Sequence, residues 1–255
     1  MRCEIFKTKE EMAQAAAKNA AQVLREAIFS KGQATFIAAT GKSQFEFLEN
    51  LTNDLSIDWT KTTMFHLDEY IGLPAEHPAS FCRYLKERFI DKVHPAMVHL
   101  IKGDTSEPEK ECERLNKIIT GKEIDVAFVG IGENGHLAFN DPPADFETEK
   151  PFMIVDLDEA CRKQQYDEGW FSALSDVPKQ AISISIRQLI KSKHIICVVP
   201  GKRKAQAVKN CLEKEISPMC PASILRKHEH TSIYLDTNSA SLLSEESHEC
   251  AKISK

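Results

Sequence analysis

The stretch TFIAATGKSQFEFL, residues 35–48, joins an apolar strand to a helical pattern through a short turn. Its first part, residues 35–40, is apolar nearly throughout, and so are two later segments, residues 124–130 and 194–199. A strand that is apolar along its whole length fits a parallel sheet covered on both faces, because both sets of alternating side chains are then buried. These segments predict an α/β fold with a mostly parallel sheet.

Apolar runs of strand length alternate with longer amphipathic segments along the chain, which predicts a doubly wound sheet with helices on both faces. The other predicted strands are residues 62–68, 97–101, 152–156, 181–186 and 232–236. The predicted helices are residues 10–29, 43–55, 79–90, 106–119 and 202–212. Since no repeat or flexible linker marks a boundary, we expect residues 1–255 to form a single domain. In such sheets, ligands bind beyond the carboxyl ends of the strands.

Composition narrows the class of function. The 255 residues carry a net charge of −5, and Lys and Arg are scattered along the chain, so nucleic acid is not an expected partner. No run approaches the roughly 20 apolar residues that span a membrane, and the first residues lack a signal-peptide core, so we expect a cytoplasmic protein without a membrane partner. The eight cysteines include no CxxC pair, which argues against a zinc site or a disulfide framework.

The turn after the first buried strand ends like a nucleotide-binding P-loop, in Thr40, Gly41, Lys42 and Ser43. A P-loop needs a glycine where this chain has Phe36, so the long phosphate-wrapping loop is absent. The short turn that remains can still bind one phosphate through backbone N–H groups and the helix dipole, with Lys42 and Ser43 assisting. The alternative is that Ser43 only caps the helix and Lys42 is solvated.

A second glycine-rich turn lies in VGIGENGHLAFNDPP, residues 129–143, and has the GxGxxG spacing of a dinucleotide site. That fingerprint must open a full crossover helix, which Pro142 and Pro143 would interrupt, so a nicotinamide cofactor is not favoured. A glycine such as Gly132 lets the backbone approach a ligand closely.

His136 follows this glycine turn, with Asn134 before it and Asp141 after it. An imidazole flanked by an amide and a carboxylate can have its tautomer fixed for proton transfer. A surface loop with an ordinary histidine is the simpler alternative. A third strand end, in residues 65–81, carries Asp68, which is placed to act as a general base or only to cap a turn.

Three segments together resemble the glucosamine-6-phosphate deaminase (isomerase) family over nearly the whole chain. LDEYIGLPAEHPASF, residues 67–81, is similar to that family's DEYxGLxxxxPxSY, and GIGENGHLAFNDP, residues 130–142, is similar to its G[IV]GxxGHIxFNEP. Residues 201–228 resemble its GxxKAxAVxxxLEGxIxxxxPASxLxxH segment. The 6-phosphogluconolactonases share the fold but usually carry GHTASLFP after the glycine turn, and GHLAFNDP favours the deaminases.

The resemblance implies a reaction without cofactor or metal, in which glucosamine 6-phosphate and water give fructose 6-phosphate and ammonium. On the family pattern, His136 opens the pyranose ring, with its charge state held by Asp141 and Asn134. Asp68 then carries the C2 proton to C1. The rival hypotheses are a lactone hydrolase on the same fold and a non-catalytic sugar-phosphate sensor, and assembly into a homo-oligomer stays open.

The resemblance also assigns phosphate binding to the turn of residues 40–43 and to Lys204, which matches the lysine of GxxKA. This chain departs from the family at that end of the site. Lys42 replaces a small residue of the turn, and Gly169 aligns with an arginine that the family places before an aromatic pair. We expect Lys42 to compensate for the missing arginine, unless the substrate is another amino sugar phosphate or carries no phosphate. Asp141 also replaces the usual Glu of the family.

Overall fold

The computed structural model describes the backbone of residues 1–250 and 252–253, and the side chains of residues 1–248. The strands are β1 Arg2–Phe6, β2 Ala34–Ala38, β3 Thr62–His66, β4 Asp68–Tyr70, β5 Met97–His99, β6 Val126–Val129, β7 Phe152–Asp156, β8 Gln180–Ile184, β9 His194–Val199, β10 Thr231–Asp236 and β11 Lys252–Ile253. The α-helices are α1 Lys9–Lys31, α2 Phe45–Thr52, α3 Phe81–Leu85, α4 Asp91–Val93, α5 Pro108–Ile119, α6 Glu159–Asp167, α7 Ile186–Leu189, α8 Ala205–Glu213 and α9 Glu245–Cys250. A π-helical turn, Lys86–Ile90, joins α3 to α4, and short 3₁₀ turns precede α2 and α8.

The main sheet has eight strands in the order β11-β1-β10-β9-β6-β2-β3-β5, and each neighbouring pair is parallel. The prediction of an α/β fold with a mostly parallel, doubly wound sheet is therefore confirmed. β1 was not among the predicted strands, because Arg2 and Glu4 interrupt its apolar pattern. Its register with β10, from Arg2 opposite Ser232 to Phe6 opposite Asp236, is set by tertiary pairing.

Two predicted strands lie outside this sheet. β7 and β8, which correspond to residues 152–156 and 181–186, pair antiparallel with each other, and β8 also pairs antiparallel with β4. The predicted strand 62–68 is likewise divided, because β3 ends at His66 and Asp68 begins β4. Short apolar runs identify a strand but do not specify the sheet that it joins, which depends on long-range pairing.

The central strands bury side chains on both faces. In β2, Phe36 and Ala38 pack into one apolar cluster, and Ile37 packs into the other. The same alternation continues in β6 and β9. Because β2 buries side chains on both faces, residues 35–40 are apolar nearly throughout.

Helices cover both faces of the main sheet, as predicted. α1 and α2 contribute to the cluster on one face, and α5 and α8 contribute to the cluster on the other. α1 begins where the Thr8 side chain accepts a hydrogen bond from the Glu11 N–H, and it ends at Gly32, whose φ of 78° is a glycine-favouring conformation. None of the described helices is both long and apolar enough to cross a membrane.

The order in which the chain adds strands to the sheet changes direction between β2 and β6, which are neighbours at the centre of the sheet. From β2 the chain continues to β3 on one side, and β6 has β9 on its other side. Loops that leave the carboxyl ends of these strands diverge there and open a crevice, which is where ligands bind in open α/β sheets.

Candidate active site

A cavity lies at this crevice. The loops after β2, β3, β6 and β9 contribute Thr40–Ser43, Asp68, Gly132 with His136, and Lys204 to its lining. Residues that are far apart in the sequence thus meet in one cavity. Asn134 and Asp141 do not line it but hydrogen-bond around His136 from behind.

The turn after β2 presents unpaired backbone donors to the cavity. Gly41 has a φ of 94°, and a 3₁₀ turn follows at Lys42–Gln44. Within the part of the chain that the structure describes, the N–H groups of Lys42 and Ser43 make no hydrogen bond. Gln44 is fully buried, and its Nε2 donates to the Val198 carbonyl at 3.4 Å. The buried Gln44 therefore fixes the position of the turn, and the N–H groups of Lys42 and Ser43 stay available to a ligand.

A second turn of the same shape follows β9. Gly201 has a φ of 92°, and the 3₁₀ turn Lys202–Lys204 follows it. The Asp236 carboxylate accepts from the Gly201 N–H at 3.0 and 3.1 Å, so one donor of this turn is paired within the protein. Residues 40–43 of the first turn line the cavity, whereas Lys204 alone does so from the second turn, and the first turn is therefore the one placed to bind an external anion.

Lys204 ends the second turn and points its side chain into the cavity, where only 8% of the residue is exposed. Burial lowers the pKa of Lys204, while the charges of Glu168 and Glu133 oppose that shift. The lysine forms no salt bridge within 4 Å among the described residues. A buried ammonium group in this state is suited to pair with a bound anion.

The imidazole of His136 is held between a glycine and a carboxylate. Gly132 lies so close to the ring that a Cβ atom at this position would overlap it. On the other side, Nδ1 of His136 is 3.1 Å from Oδ1 of Asp141. The His136 N–H donates to the side-chain oxygen of Asn134 at 3.0 Å, and these contacts fix the loop around the ring.

A polar network orders this loop from behind. Nδ2 of Asn134 donates to Asp141 and to Asp158, at 3.0 Å each. The Asp158 N–H donates to Asp141 at 2.9 Å, and the Asp158 carboxylate caps α6 by accepting from the Cys161 N–H. Burial favours a higher pKa for Asp141, but the contact with His136 and the hydrogen bonds from Asn134 and Asp158 outweigh it, so that the pKa is lowered. Asp141 is therefore held as a carboxylate.

Asp68 faces the same cavity from the start of β4, and 6% of it is exposed. Burial raises the pKa of Asp68 well above its usual value, and the charge of Glu69 adds to the shift. A raised pKa suits a carboxylate that must take up and release a proton near neutral pH. Glu69 points away, as its position in the strand predicts, and accepts from Ser80 and from the Cys82 N–H.

Two groups of side chains have the composition of a metal site, namely His66, Glu69 and Cys82, and His136, Asp141 and Cys161. Both carboxylates are already satisfied by hydrogen bonds within the protein. Burial raises the pKa of the Cys82 and Cys161 thiols, which disfavours the thiolate that binds metal ions. The side chains of both groups are therefore better suited to their present hydrogen bonds than to binding a metal ion.

The sequence reasoning missed one side of the cavity. Gln164, Gln165 and Glu168, from α6 and the residue after it, line the cavity opposite the strands. Gly169, which aligns with the family's arginine, has a φ of 80° and directs the chain toward Trp170. The spacing of Gln164, Gln165 and Glu168 places them on neighbouring turns of one helix face. Because residues 159–167 were not predicted as a helix, this spacing did not indicate that the three side chains lie together.

Comparison with known proteins gives one family. The family described as "Glucosamine-6-phosphate isomerases/6-phosphogluconolactonase" matches residues 7–234. Glucosamine-6-phosphate deaminases of Bacillus cereus (strain B4264) and Bacillus thuringiensis (strain Al Hakam) are each 34% identical to this chain over 241 residues, which covers 94% of this chain and 88% of theirs.

Solved structures agree with this assignment. A structure described as a monomeric glucosamine-6-phosphate deaminase of the NagB superfamily is 30% identical, with a TM-score of 0.86 over 95% of this chain and 100% of that one. A 6-phosphogluconolactonase from Shewanella baltica OS155 is 19% identical, with a TM-score of 0.75 over 92% of this chain and 97% of that one, and shows the fold alone. The chain belongs to the glucosamine-6-phosphate isomerase and 6-phosphogluconolactonase family.

Proposed function

We propose that this protein converts an amino sugar phosphate, in the simplest case glucosamine 6-phosphate, and water into the corresponding ketose phosphate and ammonium. The curated relatives support the prediction of an enzyme of the deaminase type. The single observation that carries the proposal is that Asp68, His136, the turn at residues 40–43 and Lys204 line one cavity.

His136 is proposed to open the pyranose ring. Its imidazole lies in the cavity with Asp141 at 3.1 Å from Nδ1, so the other ring nitrogen is free to exchange a proton with the sugar. The carboxylate of Asp141 stabilises the imidazolium that forms when the ring takes the proton of the anomeric hydroxyl. The same proton then passes to the ring oxygen, which becomes the C5 hydroxyl of the open chain.

Asp68 is proposed to move a proton between the two carbons that exchange oxidation level. As a carboxylate, it removes the proton from C2 of the open-chain aldehyde. The aldehyde oxygen takes up a proton that the C2 ammonium group releases, which leaves an enolamine, and Asp68 then returns its proton to C1. The C2 imine that results is hydrolysed by water, and ammonia leaves. Because burial raises the pKa of Asp68, its conjugate acid is a competent donor for the second half of the transfer.

The phosphate is proposed to bind at the opposite end of the cavity. The open N–H groups of Lys42 and Ser43 offer hydrogen bonds, and the buried ammonium of Lys204 offers charge. Lys42 is exposed, with its Nζ 6.0 Å from the centre of the Trp170 ring, and can reach a phosphate from the solvent side. This arrangement supports our expectation that Lys42 compensates for the arginine that is absent at Gly169.

The test is an ammonia-release assay with glucosamine, galactosamine and mannosamine, each with and without a 6-phosphate. We expect release from at least one phosphorylated sugar and loss of that release in Asp68→Asn. Absence of ammonia from every sugar would overturn the proposal. A parallel lactonase assay with 6-phosphogluconolactone tests the rival hydrolase hypothesis, and we expect no turnover above the rate in buffer.

A further inference from the structure

The side-chain amide of Gln165 lies at the cavity. Gln165 is 5% exposed and lines the cavity, yet its side-chain Oε1 and Nε2 make no hydrogen bond to any residue that the structure describes. A buried amide without a partner costs free energy, so proteins rarely keep one unless a ligand or water completes it.

The neighbouring Gln164 differs from Gln165, because both ends of its amide are hydrogen-bonded within the protein. Oε1 of Gln164 accepts from the Glu133 N–H at 2.9 Å, and its Nε2 donates to Glu168 at 2.9 Å. Gln164 therefore ties α6 to the loop of His136, while Gln165 has no comparable structural role. The two side chains form a matched pair, one satisfied by the protein and one open to the cavity.

Glu168 adds a negative charge at the phosphate end. Its carboxylate accepts from Gln164 and from Nε1 of Trp170, the residue whose ring lies near Lys42. The charge of Glu168 also acts on the buried Lys204. A carboxylate that acts on Lys204 reduces the net positive charge that the cavity offers to a phosphate.

We propose that Gln165 and Glu168 form a specificity subsite in which the Gln165 amide hydrogen-bonds a hydroxyl group of the sugar, while Glu168 limits the negative charge that the adjacent phosphate site accepts. This inference rests on the proposed function, and it deepens that function by assigning the part of the substrate that α6 contacts. It makes Gln165 and Glu168 determinants of which sugar phosphate binds.

A hydroxyl group fits the open amide better than a phosphate does. The amide offers one acceptor and two donors, and a hydroxyl can donate to the first while accepting from the second. A phosphate dianion only accepts hydrogen bonds, and the nearby Glu168 repels it. The sugar carbons between the reacting end and the phosphate carry hydroxyls. The N-cap of α6, Asp158, contacts Asn134 of the His136 loop, and Trp170, which follows α6, lies 6.0 Å from Nζ of Lys42, so Gln165 lies in a segment that connects the two ends of the site.

Calorimetric binding of two probes, inorganic phosphate and the open-chain glucitol 6-phosphate, tests the role of Gln165. In Gln165→Leu, we expect glucitol 6-phosphate to bind about tenfold more weakly while phosphate binds as in the parent protein, because only the first probe carries the hydroxyls. An unchanged ratio of the two dissociation constants would overturn the proposal. Since neither probe is turned over, this result is independent of whether the protein releases ammonia.

Gln164→Leu is the matched control for folding. We expect it to lower the melting temperature, because it leaves the Glu133 N–H without a partner and removes one of the two hydrogen bonds to the Glu168 carboxylate. Gln165→Leu should keep or raise the melting temperature, because it removes only an unpartnered amide. A loss in Gln165→Leu as large as that in Gln164→Leu would assign Gln165 a structural role and contradict the proposal.

Glu168→Gln tests the role of charge. We expect inorganic phosphate to bind several-fold more tightly to this variant at low salt, and the gain to shrink as salt is added, because screening weakens the repulsion that was removed. Phosphate affinity that stays equal or falls would show that Glu168 does not limit charge at this end of the cavity.

Discussion

Gly132 lies directly against the imidazole of His136, and the space that a side chain would need at position 132 is occupied by the ring. This contact gives the glycine turn a purpose that its GxGxxG spacing does not reveal. The second side of the ring is held by Asp141. The position of His136, the proposed ring-opening group, therefore depends on the absence of a side chain at Gly132 as much as on the contact with Asp141.

Gly132→Ala should lower kcat/KM for ammonia release by about a hundredfold, because the added methyl group displaces the imidazole from its place between Gly132 and Asp141. The φ of Gly132 is not in the positive range, so the backbone itself admits alanine. Gly130→Ala is the comparison, since its Cβ would be 3.3 Å from its nearest neighbours and should cost less activity. Equal activities in the two variants would contradict the assigned contact.

Asp141→Asn should lower turnover by about a hundredfold, because an amide cannot stabilise an imidazolium at His136. It should also lower the melting temperature, because the amide can accept from only one of the two donors, Asn134 Nδ2 and the Asp158 N–H, that the carboxylate now binds. Steady-state ammonia release and thermal unfolding measure the two effects. If turnover were unchanged, Asp141 would have no part in the ring-opening step.

Asp68→Asn should abolish turnover and raise the melting temperature at neutral pH. The folded state raises the pKa of Asp68 above the ordinary value of 3.8, so the carboxylate destabilises the fold once the unfolded chain ionises. The gain should therefore be absent below about pH 4, where the carboxyl group is protonated in both states, and should grow as the pH rises toward the pKa of the folded protein. Thermal unfolding at several pH values measures it.

Glu69→Gln is the control for that experiment. The Glu69 carboxylate accepts hydrogen bonds from Ser80 and from the N–H groups of Tyr70, Phe81 and Cys82, and an amide cannot accept all of them. Burial raises the pKa of Glu69 as well, against the hydrogen bonds that its carboxylate accepts. We nevertheless expect this variant to melt at a lower temperature than the parent, because an amide leaves two of these buried donors unpaired. A gain of stability in both variants would show that the effect at Asp68 is not specific to the site.

Lys42→Ala should raise KM for the phosphorylated sugar about tenfold with little change in kcat, because a charge-assisted hydrogen bond to the phosphate is lost. Lys202→Ala is the matched control, since Lys202 occupies the same place in the turn at Gly201 and does not line the cavity. A Michaelis constant unaffected by Lys42→Ala would end the hypothesis that this lysine replaces the family's arginine.

Much of the fold could be predicted because burial on two faces leaves a mark in the sequence. β2, β6 and β9 are apolar nearly throughout, and their side chains alternate between two clusters. Residues 152–156 were predicted as a strand, but the pattern did not specify their sheet, because their antiparallel pairing with β8 depends on contacts distant in the sequence. β1 was missed because its charged residues hide a strand that β10 pairs.

The sequence by itself determined the fold class, the family resemblance and the residue types at the strand ends, since these follow from local burial patterns and from motifs that are contiguous in the chain. Only the tertiary structure decided which of the two glycine turns lies along the cavity, because the crevice opens between β2 and β6, which come together from distant parts of the chain. It also decided that the Gln165 side chain has no hydrogen-bond partner among the described residues, whereas Gln164 accepts from the Glu133 N–H. A helix packed across a sheet brings together side chains whose separation in the sequence gives no sign of their contact.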